Sequence, residues 1–247
     1  MLLRRFTEHI KTQNWTAVAL DFAIVVVGVF IGIQVSNWND ARADRIAEKE
    51  YLSRLVIDST ASIELIDMRR DSLLEWARNV EALVAGLANG DRVAVAVHED
   101  GLLQATRINR ASPQFATITE LISSGRINII QDVKIRNAIA EAESEARNRD
   151  AYVDILNTGQ KSLLPIIRTR FRLVTTGEDP DGFMDYRIEY DFDALAADEE
   201  FINALSQSAN HLRVNAGWLN SVKTDMEKLR SLIIEANPSL APATETE

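Results

Sequence analysis

Between Ala17 and Val35 the chain reads AVALDFAIVVVGVFIGIQV, 19 residues with one charged side chain, Asp21. At about 1.5 Å rise per residue this run spans roughly 28 Å as a helix, close to the ~30 Å hydrocarbon core of a bilayer. No polar residue recurs inside it with a helical period, as it would on the amphipathic helix of a soluble protein. Trp15 and Trp38 bracket the run, and indole rings favour the headgroup layer. The run predicts one transmembrane helix over 15–38, with Trp15 and Trp38 as interfacial anchors and the lipid bilayer as its first partner. The apolar stretch of a cleaved signal is shorter, about 7–15 residues, so an uncleaved signal anchor is expected.

The flanks bear on orientation. Arg4, Arg5 and Lys11 lie before the run, and Arg42, Arg45, Lys49 and Arg54 follow it, interleaved with acids. The short, basic tail of residues 1–14 tips the expectation towards an N-terminus inside. That makes the chain a single-pass protein of the cell (inner) membrane, with its soluble domain periplasmic or extracytoplasmic.

Asp21, Gly28 and Gly32 fall within about 20–40° of one another on a helical wheel. Gly28-x-x-x-Gly32 is the spacing that lets two membrane helices approach closely, and Ser36 continues it one step further. A carboxyl in this setting seeks a partner. Asp21, Gly28, Gly32 and Ser36 are therefore the expected transmembrane helix interface, packing against a second copy or another membrane protein.

Beyond the anchor, 24 of the 27 basic and 35 of the 37 acidic residues give a net charge near −11. Such a surface repels phosphate backbones and argues against nucleic acid as a partner. The absence of cysteine removes disulfides, thiol catalysis and Cys-based metal centres. Ten glycines and five prolines in 247 residues favour long helices.

The fold class expected is all-α: the transmembrane helix continues into a long stalk helix, followed by an antiparallel helical bundle over 39–236. Leu52, Ile66, Leu73, Val80 and Leu87 recur at heptad spacing, with Ser59 the one polar member and Leu55, Trp76 and Leu83 as flanks. Asn89-Gly90 reads as a stop. Residues 91–112 lean towards helix. Ser112-Pro113 reads as a cap, and that helix ends at Gly125. The next helix starts after Asp132, with Pro165 marking a kink or break. Residues 174–193 read as a loop with a short extended piece at Tyr186–Tyr190. In the last helix Leu205, Leu212, Leu219, Met226 and Ile233 hold one heptad position, and Val222, Leu229 and Ala236 its companion. Such stripes are core-forming first and coiled-coil seams second. The tail, 237–247, is expected to be disordered.

Two stretches, VVVGVFIGIQVSNWNDARADRIAEKEYLSRL at the anchor exit and ITELISSGRINIIQDVKIRNAI at 118–139, resemble a bacterial family of uncharacterised single-pass membrane proteins. The resemblance covers about a fifth of the chain. It implies an N-terminal anchor with an early acidic residue, a Gly-containing apolar run, then Gln, Asn-Trp-Asn and an acid. Here those are Asp21, Gly28, Gln34, Asn37, Trp38, Asn39 and Asp40. Asp21 departs from the Glu of the family pattern. The resemblance implies an architecture and carries no activity. Physically, the second stretch reads as a corner: Ser123-Ser124-Gly125 turns, and Ile127, Ile129 and Ile130 pin the turn to the core.

Motifs for chemistry do not assemble. His9, His98 and His211 have no second His at metal-ligand spacing. Asp179-Pro-Asp181-Gly182 lacks the first and twelfth ligands of a calcium loop. Phosphate-binding, dinucleotide and nucleophile-elbow patterns are absent from the sequence. Glu141, Glu143 and Glu145 alternate and read as solvated charge. Arg168, Arg170 and Arg172 read as cations at a helix end. No catalytic, cofactor-binding or metal residue is assigned and no cofactor is expected. The sequence thus points to a membrane-anchored, non-enzymatic interaction or scaffold protein. The alternative is an extracytoplasmic ligand-sensing helical bundle that signals through a membrane partner.

Overall fold

A computed structural model describes residues 15–108, 115–178 and 184–241. The tail of residues 1–14, the Trp15 side chain, the Ser112-Pro113 cap, the Asp179–Gly182 segment and residues 242–247 lie outside the described part. Packing divides the chain into two units, Met1–Glu50 and Tyr51–Glu247.

Helix α1, Trp15–Ala88, is 74 residues long and holds no proline. In the first unit its residues from Val18 to Val35 leave every large apolar side chain exposed. This helix is long and apolar enough to cross a membrane. In the second unit the heptad stripe turns inward: Leu52, Ser59, Ile66, Leu73, Val80 and Leu87 are all buried.

Asn89-Gly90 ends α1 as expected. Gly90 takes φ of +68°, and the Asp91 N–H reaches back to the Gly86 carbonyl at 2.9 Å, a left-handed C-terminal turn that glycine adopts without steric cost. Asp91 then caps α2, Arg92–Val97, by accepting from the Val93 and Ala94 N–H groups. Helix α3 is a single turn, Gly101–Gln104. Both pack on the last turns of α1, where glycine permits close approach. A Cβ on Gly101 would stand 3.1 Å from the Asn79 carbonyl oxygen.

Helix α4, Ala116–Ser123, ends at Gly125, again with φ of +68°. A 3-10 turn, Arg126–Ile129, leads to Asp132, which caps α5 through the Lys134 and Ile135 N–H groups. Ile130 is fully buried, with Ile127 and Ile129 packed against the core. The corner expected at 123–130 is present. Helix α5 runs Val133–Arg168 through Pro165.

The all-α expectation needs one correction. Phe171–Glu178 (β1) and Met184–Tyr190 (β2) pair as an antiparallel hairpin, with a register irregularity between Thr175 and Gly177. Phe171, Leu173 and Thr175 stand opposite Tyr190, Ile188 and Tyr186. This period-2 apolar face is anchored by buried Ile188, which favours strand over loop.

Helix α6, Phe192–Ala197, is capped by Asp191, and α7, Glu199–Ala236, by Asp198. Leu205, Leu212, Leu219, Met226 and Ile233 are buried without exception. Val222 and Leu229 join them, whereas Ala236 is exposed, because the helix ends there. Contacts between helices fix their directions. Asp67 pairs with Lys223 and Glu81 with Arg213; Glu141 pairs with Lys228, and Gln160 with Ser208. Numbers rise along α1 and α5 as they fall along α7, so α7 is antiparallel to both. The tail expected to be disordered begins with an ordered piece. Pro238–Leu240 forms a 3-10 turn, and Leu240 packs partly on the core.

Candidate functional site

The expected interface lies on the exposed part of α1. Asp21, Gly28, Gly32 and Ser36 are all exposed. No atom would lie within 4 Å of a Cβ on Gly28 or Gly32, so the groove they leave is open. Trp38 is 61% exposed. Around this stripe Leu20, Phe22, Ile24, Val25, Val27, Val29, Phe30, Ile31, Ile33 and Val35 point outward on every side. A helix apolar all round belongs in a core or a bilayer. The stripe holds both glycines of the run: a line where a second backbone can approach, with one carboxyl on it.

A polar clamp that was not expected joins α1, where it enters the second unit, to α4 and the corner after it. Glu120 on α4 accepts from the Tyr51 hydroxyl at 2.8 Å through Oε1 and from Arg54 at 2.6 Å through Oε2. Arg126, in the corner, donates to the Tyr51 oxygen at 3.2 Å and lies over its ring, as does Arg54. Asp58, one turn further along α1, accepts from the Thr117 N–H at 3.0 Å. Tyr51, Arg54 and Asp58 follow helical spacing, so one edge of α1 holds α4 at Thr117 and at Glu120. The hydrogen bonds from Arg54 and then Tyr51 draw the Glu120 carboxyl below its usual range. The Ser124 hydroxyl donates to the Glu120 carbonyl at 2.6 Å. It closes the turn, which supports the structural reading of the corner.

A second buried polar group ties three elements together. The Gln160 amide and the Ser208 hydroxyl both donate to the Ala105 carbonyl, and Gln160 also donates to Ser208 at 3.0 Å. This orientation leaves Gln160 Oε1 to accept from His211 Nδ1 at 3.0 Å. It requires the tautomer protonated at Nδ1 when the ring is neutral. Burial pushes the His211 pKa down.

The remaining candidates resolve into ordinary pairs. Arg170 binds Asp198 and Glu200, and Arg172 binds Glu189. The basic run is therefore largely neutralised by the hairpin and the start of α7. Glu141 binds Lys228 and Glu143 binds Arg147. Among the described residues no group of three His, Cys, Asp or Glu side chains could hold a metal ion. Tyr152 stacks on Trp218 at 5.1 Å between centroids.

No protein-family model, no curated protein and no solved structure matches the chain.

Proposed function

We propose that this chain is a membrane-anchored, non-enzymatic interaction or scaffold protein. Helix α1 crosses the bilayer once, and its Asp21, Gly28, Gly32 and Ser36 face packs against another membrane helix, of a second copy or of a different protein. The observation that carries the reading is the exposure of the apolar run on every side. Leaving that much apolar surface in water would cost about 25 cal/mol per Å², and bulk lipid removes the cost. The two glycines of the run both fall on the Asp21 stripe and give the helix a line of close approach, since packing rather than hydrophobicity drives association in lipid.

The basic N-terminal flank supports an N-terminus inside, with Tyr51 onward periplasmic or extracytoplasmic. The likeness of the anchor exit and the corner to the bacterial single-pass family supports the same architecture. A reporter of helix association in membranes tests the interface. Association should fall about tenfold on Gly28→Ile or Gly32→Ile, since a large side chain holds the backbones apart, and stay level on Val27→Ile. Equal association of all three variants would remove the interface from the account.

A further inference from the structure

The second unit leaves one face of α1 uncovered. Ile57, Ala61, Glu64, Met68, Asp71, Glu75 and Arg78 are all exposed. They alternate steps of four and three, the spacing of a seam between two helices. Its first half is apolar where a solvated face would be polar. Ile57 is 64% and Met68 63% exposed, with Ala61 between them. Glu64 sits in the middle of that apolar patch and makes no ion pair among the described residues.

We propose that this seam docks a helix of a different protein, apolar along its contact line and carrying a Lys or Arg opposite Glu64. Charge selects this occupant. Two anchored copies enter the membrane in the same direction, so a symmetric pair would set Glu64 against Glu64 at the seam centre. Like charges facing each other destabilise a helix pair. Glu75 would add the same repulsion further along, whereas Asp71 is paired with Arg70 at 3.8 Å. A cation on the partner turns each of these contacts into an attraction and leaves Ile57, Ala61 and Met68 to pack. The parallel direction of the copies rests on the anchored reading. The charge match is tested without it, so the two can fail separately.

The test uses the full chain in mild detergent and, as probe, a synthetic amphipathic peptide of about four turns with Leu along one line and Lys at the position facing Glu64. Binding is followed by fluorescence anisotropy. Saturable binding should weaken about tenfold on Glu64→Lys and recover when the peptide carries Glu in place of that Lys. Glu235→Lys, an exposed acid elsewhere, should change it little. Equal effects of Glu64→Lys and Glu235→Lys would overturn the seam as the binding surface. Ready disulfide dimers of Met68→Cys without peptide would overturn the choice of partner in favour of a second copy.

Discussion

The Tyr51 hydroxyl donates a 2.8 Å hydrogen bond to Glu120, so the first turn of the second unit is fastened to α4. Arg54 holds the other oxygen of the same carboxylate. Glu120→Gln keeps the shape and removes the charge, and should lower Tm by a few degrees at pH 7. The sign of the pH dependence follows from the depressed Glu120 pKa. The stabilisation is present above the ordinary carboxylate range and is lost as pH falls through the folded-state value. Thermal melts should therefore show the gap between wild type and Glu120→Gln closing below about pH 4. A gap that persists in acid would mean that the carboxylate is not what holds α4.

Gly125 closes the corner with φ of +68°. Nothing would lie within 4 Å of a Cβ there, so any cost of substitution comes from the backbone alone. Gly125→Val should destabilise by about 1–2 kcal/mol, the cost of the left-handed conformation. Gly125→Asn should cost clearly less, because Asn visits that region. Denaturant melts of both variants separate this from a packing effect, which would scale with side-chain size instead.

Much of this fold was legible because long helices write their pattern at one period. The heptad runs from Leu52 to Leu87 and from Leu205 to Ile233 marked the buried faces, and Asn89-Gly90 marked the turn between α1 and α2. Gly125 and the three isoleucines marked the corner. The hairpin was half visible, in Tyr186–Tyr190, because β2 alternates cleanly while β1 sets the apolar Val174 on its polar face and breaks its register between Thr175 and Gly177. What the sequence could not show was pairing across distance. Glu120 reads as an exposed helical acid until Tyr51 and Arg54 are brought to it. Gln160, Ser208 and His211 converge only when α7 lies antiparallel to α5. Arg149 stands in a charged stretch that reads as solvated, yet it is 1% exposed beside Asp150.

The phase of α1 in the second unit can be tested on two isoleucines. Ile66 is fully buried and Ile57 is 64% exposed. Ile66→Ala should cost about 2–5 kcal/mol through lost burial and the cavity left behind. Ile57→Ala should stay within about 0.5 kcal/mol. Chemical denaturation of the two variants reads the difference directly, and similar losses would place both faces in the core.

His211 provides a second pH signature. Burial lowers its pKa, so the folded chain resists a proton that the unfolded chain accepts. Stability from this group is complete above about pH 6.5 and declines as pH falls through the lower folded value. His211→Gln should flatten that decline. An NMR titration should place the folded midpoint below that of an unfolded-peptide histidine, and a midpoint at or above it would contradict the buried, Gln160-bonded ring.

The absence of cysteine makes the crossing of a membrane by α1 directly measurable. Val27→Cys places a thiol inside the apolar run, and Ser239→Cys places one after α7. Membranes are treated with an impermeant thiol reagent from the extracytoplasmic side, before and after detergent. Ser239→Cys should label at once and Val27→Cys only in detergent, with both proteins retained in the membrane after an alkaline wash. Equal labelling of the two sites without detergent, with release by alkali, would contradict the crossing.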